Sequence, residues 1–245
     1  MRYGIISDIH SNLEALRAAL EQIGEVDAYI CPGDFVGYGA DPNECCDIVR
    51  GLAPISVVGN HDAAVVGSFG LAWFNPIARA AAEWTASVLS EPNLAYLGRL
   101  KPTADIDSGI ITHGSLDDPL DFRYIADSWT AAPTFDLMAE TPVCFIGHTH
   151  IAEVYIAQPG VRGVDQIALT SGGRIEIKEG FRYMINCGSV GQPRDGEPTA
   201  ACGLYDTGER TVKVMRAPYD VRTAQKKIRA AGLPQALADR LSVGF

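Results

Sequence analysis

RYGIISDIHSNLEALRAALEQIGEVDAYICPGD, residues 2–34, holds an apolar run, a helical stretch and a second apolar run, with an aspartate soon after each run. Residues 2–7 read as a buried strand. Ser11 followed by Glu14 has the form of a capping box opening a helix. Leu13, Leu16, Leu20 and Ile23 then recur at helical spacing. Residues 27–31 form the second strand, ended by Pro32-Gly33. Asp41-Pro42 starts another helix, with Asp as cap and Pro at the first helical position. Residues 54–58 make a third strand that runs directly into Gly59-Asn60-His61-Asp62. Strands alternating with helices in this order imply a parallel sheet, at least at the start of the chain.

Outward from there, residues 76–100 are mainly helical. Residues 109–112 and 143–146 read as strands, each with a histidine just beyond its end. After His150 the texture changes to hairpin-like segments at 153–157, 175–178, 183–186, 201–205 and 211–215. The fold class expected is α/β: a four-layer α/β/β/α sandwich of two mixed β-sheets flanked by helices, in one domain over residues 1–245. The tail from about 221 to 245 is helical and interrupted at Gly232-Leu233-Pro234. It either covers a sheet edge or pairs with a second copy of the chain, so a homo-oligomer stays open.

With 47% hydrophobic and 20% charged residues, 245 residues can bury a substantial core. The net charge of −10 argues against nucleic acid and anionic lipid, which call for a basic face. Small molecules, metals and other proteins are the better partners. No segment reaches the ~18 consecutive apolar residues of a membrane span, and residues 1–8 lack the pattern of a signal peptide. Six cysteines without a CxxC pair read as reduced, packed thiols. The expected location is the cytoplasm.

All five histidines fall in or beside short motifs rich in Asp, Asn and Gly. In chain order these are Asp8-Ile9-His10, Gly33-Asp34, Gly59-Asn60-His61-Asp62, His113, and Gly147-His148-Thr149-His150. The motifs follow strands, which places them at strand carboxyl ends, where open α/β sheets build their sites. In extended backbone, residues i and i+2 share a face. On that basis Asp8 with His10, and His148 with His150, each aim two ligands inward. Gly33, Gly59 and Gly147 are expected to turn the chain with positive φ beside the ligands.

This ordered series closely resembles the calcineurin-like metallophosphoesterase family, in particular its small bacterial and archaeal phosphodiesterase branch. The resemblance implies two divalent metal ions. Asp8, His10, Asp34 and His150 hold the first; Asp34 as a bridge, Asn60, His113 and His148 hold the second. It implies that His61 stands beside the metals as general acid, oriented by Asp62, and that a metal-bridging hydroxide attacks the phosphorus. Two ions about 3.5–4 Å apart can clamp the attacking and leaving oxygens of a phosphoryl displacement. Imidazole, carboxylate and amide donors favour manganese as first choice, with iron, zinc or nickel as alternatives.

Protein phosphatases of this superfamily read G-D-Y-V-D-R-G and R-G-N-H-E. Here the matching stretches are Gly33-Asp34-Phe35-Val36-Gly37-Tyr38-Gly39 and Val58-Gly59-Asn60-His61-Asp62. Both arginines that grip a phosphomonoester dianion are absent. The expected activity is therefore hydrolysis of phosphodiesters, with some monoesters, on a small phosphorylated substrate. A protein phosphatase and a non-catalytic interaction scaffold are the alternatives. Asn60 and Arg194, the latter in a glycine-rich turn at 186–194, are substrate-contact candidates. Arg123, Tyr124 and Trp129 are candidates for a lid, with ordinary loop packing the competing account. Specificity is assigned to the loops at 35–39, 69–74, 115–129 and 188–194.

Overall fold

The computed structural model describes residues 1–245. Its elements are β1 (Arg2–Ile5), α1 (Leu13–Ile23), β2 (Ala28–Cys31), α2 (Pro42–Leu52), β3 (Ile55–Ser56), α3 (Asn60–Val65), α4 (Pro76–Val88), α5 (Glu91–Leu97), β4 (Thr103–Ile106) and β5 (Gly109–Thr112). There follow α6 (Ser128–Leu137), β6 (Val143–Ile146), β7 (Ala152–Ala157), β8 (Asp165–Ala168), β9 (Gly173–Glu176), β10 (Arg182–Cys187), β11 (Ala200–Asp206), β12 (Thr211–Ala217), α7 (Val221–Ala230) and α8 (Gln235–Asp239).

Two six-stranded sheets result, ordered β3-β2-β1-β11-β12-β9 and β4-β5-β6-β10-β7-β8. The run β3-β2-β1 is parallel, as the strand–helix alternation predicts, and β11 joins β1 antiparallel. In the second sheet β5, β6 and β10 are parallel. Ile5 and Ile30 of one sheet meet Phe145 and Ile185 of the other in a buried core between them. Leu13, Leu16 and Ile23 of α1 cover the outer face of the first sheet. Ala131 and Phe135 of α6 cover the second. This is the expected four-layer α/β/β/α sandwich. No helix is long and apolar enough to cross a membrane.

Several local expectations are corrected. The cap of α1 is Asn12, whose Oδ1 accepts the Ala15 N–H at 3.2 Å; Ser11 lies one residue outside, at φ 53°. The turn after β1 needs Ser11 there, its N–H donating to the Phe35 carbonyl at 3.1 Å. β4, β8 and α6 were not foreseen. Every residue of β8 is exposed at a sheet edge, so it carries no burial alternation to read. Helix α6 holds Pro133 in its interior, which sequence reasoning takes as a breaker. The tail lies against helices rather than over a sheet edge. Ala224, Ile228 and Leu237 pack with Ala78 and Ala81 of α4 and with Tyr38. Lys227 donates to Glu14 at 2.6 Å and to Asp41 at 2.9 Å, tying α7 to α1 and to the start of α2.

Candidate metal centre

The motif residues follow the carboxyl ends of β1, β2, β3, β5 and β6, but five of the expected ligands are not in extended backbone. Asp8, His10, Asp34, His148 and His150 have φ of 51°, 48°, 55°, 71° and 62°. Strand alternation is therefore not what aims them. A left-handed residue reverses the chain locally, at a cost that tertiary contacts must cover. Here the contacts are the Asp8 N–H on the Gly33 carbonyl (3.0 Å), the His10 N–H on the Asp34 carbonyl (3.1 Å) and the Gly191 N–H on the Asp8 carbonyl (2.9 Å). Of the three glycines only Gly33 has the expected positive φ. At Gly59 and Gly147 the constraint is space. A Cβ would overlap the Asp34 carboxylate in the first case, and Ser7 Oγ and the Asp8 carboxylate in the second.

The fold gathers two donor clusters that share Asp34: Asp8, His10, Asp34 and His150, and Asp34, His113 and His148. Within each cluster the ligand atoms lie within 4.8 Å of one another, and all these residues are buried. Asn60 Oδ1 stands 3.2 Å from His113 Nε2, beside the second cluster.

The histidine tautomers follow from their outer contacts. Nδ1 of His10 donates to the Val36 carbonyl at 2.9 Å, that of His150 to Gln192 at 2.6 Å and that of His113 to Pro32 at 2.7 Å. A carbonyl only accepts, so Nδ1 carries the hydrogen and Nε2 of each neutral ring keeps a lone pair. Yet the Nε2 atoms of His10 and His150 face each other at 3.0 Å. His113 Nε2 lies 3.3 Å from Asp34 Oδ2, which has no hydrogen-bond donor, and buried His148 Nε2 has no partner. Lone pairs pointed at lone pairs repel, and a cation among them turns repulsion into ligation. The donor set thus fits a metal.

The electrostatics agree. Burial pushes His10, His148 and His150 well below the usual histidine range, so they stay neutral and able to ligate. For Asp34, burial works upward, but His113, His61 and His10 hold it well below the carboxylate norm. For His113, burial works downward, and the Asp34 and Asp8 carboxylates overrule it and push the ring up to about 9. Without a cation that field holds a proton on His113 Nε2 against Asp34, and a metal ion would take the place of that proton.

His61 lines the cavity beside the clusters, its ring 4.8 Å from His10 and 4.4 Å from Tyr38 between centroids. Asp62 does not touch that ring, contrary to the expectation that it orients His61 directly. Its carboxylate accepts the backbone N–H of Asp34 (2.9 Å), Phe35 (2.9 Å), Val36 (3.3 Å) and Gly59 (3.1 Å). Asp62 is a positioning residue that locks the Asp34 loop to the start of α3. Asp34 in turn holds His61, accepting its backbone N–H at 2.9 Å.

A cavity of about 440 Å³ opens over the clusters, and all four loops assigned to specificity contribute to its lining. Arg194 lies in its wall, its Nη2 donating to Tyr38 Oη and to Gln192 Oε1, both at 3.2 Å. Arg123 and Tyr124 also line it. Trp129 does not; it projects into solvent from α6. Sequence reasoning missed the carbonyls of Pro32, Val36 and Gln192 that fix the three imidazoles. It also missed Ser7, whose Oγ donates to Asp8 at 2.6 Å. A carbonyl carries no residue signature, so only the fold reveals the first three.

The family model of the calcineurin-like phosphoesterase superfamily domain matches residues 1–209. The chain is 37% identical to an uncharacterized protein of Methanocaldococcus jannaschii over 98% of this chain and 97% of that one. Its fold is similar to the crystal structure of a metallophosphoesterase from Sphaerobacter thermophilus, 40% identical, with a TM-score of 0.89 over 100% of this chain and 99% of the other. A hypothetical protein from Pyrococcus horikoshii OT3, 21% identical, shares the fold with a TM-score of 0.80 over 100% and 98%.

Proposed function

Because the chain belongs to the calcineurin-like phosphoesterase superfamily, we propose that it hydrolyses small phosphodiesters, and monoesters less well, with two divalent cations. The observation that carries this reading is the sharing of Asp34 between two sets of converging lone pairs. Asp8, His10, Asp34 and His150 would hold one cation; Asp34, Asn60, His113 and His148 the other. Manganese is the first choice, with iron, zinc or nickel as alternatives. When bound, such ions supply Lewis-acid polarisation of a phosphoryl group and acidify water. His61 holds the proton that passes to the leaving oxygen, and the Tyr38 and Phe74 rings packed on it fix its orientation.

Preference for diesters follows from the guanidinium groups. Arg194, pinned by Tyr38 and Gln192, is the cation available to a phosphate oxygen. Arg123 is engaged by Asp117 at 2.6 Å and Asp121 at 3.0 Å. One clamp suits the single charge of a diester better than the two of a monoester. Six free, buried cysteines suit a reducing compartment, so we assign the protein to the cytoplasm.

The test is turnover of bis-p-nitrophenyl phosphate and p-nitrophenyl phosphate by manganese-loaded protein. The diester is expected to give the higher kcat/KM, and Arg194→Gln to raise its KM about tenfold through loss of one charged hydrogen bond. No release from either compound or from a nucleotide panel would overturn the assignment.

A further inference from the structure

Aromatic rings wall the cavity, and most of them are packed on the histidines of the site or on one another. Phe74 stands edge-on to His61 at 4.8 Å, Phe69 edge-on to Phe122 at 5.1 Å, and Tyr124 lies flat on His148 with centroids 3.8 Å apart. Trp73 is different. It lines the cavity, stacks on no other ring, and is 82% exposed. Beside it, Asn75 spends its Oδ1 on the Ala78 N–H at 2.9 Å, while its amide NH2 makes no internal hydrogen bond. An unpaired indole next to a free amide donor offers a planar heterocycle a face to stack on and an edge contact.

The rim limits how much phosphate can follow. Asp117, Asp118 and Asp121 surround the single charge of Arg123, so this stretch of the mouth is net negative, and Asp121 itself lines the cavity. A single phosphate at the metal ligands brings one charge into this cavity, whereas a chain of phosphates leading outward brings further charges against the rim carboxylates.

We propose, building on the phosphodiesterase reading above, that the substrate is a nucleoside diester with one phosphate. Its base stacks on Trp73 with Asn75 at its edge. The acidic rim selects against dinucleoside polyphosphates.

Two measurements test this. The first compares kcat/KM for 2′,3′-cyclic AMP, glycerophosphoethanolamine and diadenosine tetraphosphate, in the parent protein and in Trp73→Ala. Trp73 is exposed in a short turn, so the variant folds. Cyclic AMP is expected to be the best of the three. Trp73→Ala is expected to lower the ratio of nucleotide to glycerol-diester kcat/KM by about 5- to 20-fold, the effect of removing one stacking face. The second is equilibrium binding of AMP followed by tryptophan fluorescence, with quenching expected in the parent and lost in Trp73→Phe. An unchanged ratio, a preference for diadenosine tetraphosphate, or AMP binding without quenching overturns the proposal. Cleavage of the glycerol diester alone also overturns it while sparing the phosphodiesterase reading. Failure to cleave any ester sinks that reading, and the fluorescence measurement still decides the stacking.

Discussion

Asp34→Asn is expected to strip the protein of bound metal and lower kcat by about 10³-fold or more, the scale on which charge stabilisation at a reacting phosphate operates. Asp34 is the residue common to both donor clusters, so neutralising it removes charge from two sites at once. Asparagine keeps the shape and an oxygen to accept the His61 N–H now held at 2.9 Å. Its amide nitrogen would face the Nε2 lone pairs of His113 and His10, which lie 3.3 and 3.5 Å from Oδ2. The variant should therefore fold, with the melting profile of the metal-free parent. Elemental analysis after gel filtration checks the metal content. A folded Asp34→Asn variant that keeps its metal and its turnover refutes the shared-carboxylate arrangement.

His61→Ala should do the reverse: metal content is retained, and kcat falls by about 10²–10⁴-fold for diesters with alkyl leaving groups. His61 belongs to neither donor cluster, so its removal leaves the ligands in place. A leaving group that needs no proton bypasses the loss, so p-nitrophenyl esters should suffer less than alkyl esters. A purely structural defect would lower both equally. Plotting log kcat against leaving-group pKa for parent and variant distinguishes the two, and equal slopes would refute the acid role.

The layer architecture was legible because β1, β2, β5 and β6 are apolar runs bounded by turn residues, and α1 keeps its helical spacing. The site was legible because its chemistry demands residue types that are otherwise scarce. What escaped is what residue identity does not encode. Left-handed backbone at His148 and His150 sends neighbours two apart to different clusters, where alternation would send them to one. Asp62 looked like a partner of His61 because it follows it in sequence, but the start of α3 turns its carboxylate back onto the Asp34 loop. Edge strand β8 and proline-containing α6 lacked any periodic signal.

The strand order sets the schedule of assembly on the ribosome. β1 and β6 lead into Asp8, His10, His148 and His150, yet each becomes an interior strand only when β11 or β10 docks beside it. The carbonyl of Gln192 that fixes His150 and the N–H of Gly191 that holds Asp8 come equally late. A nascent chain that has emerged as far as residue 150 therefore carries every histidine but no finished centre. Pairings this distant in sequence are slow to form. A metal ion held by these residues would therefore be captured late, once β10 and β11 have emerged, because the earlier chain offers only loose, competing ligands.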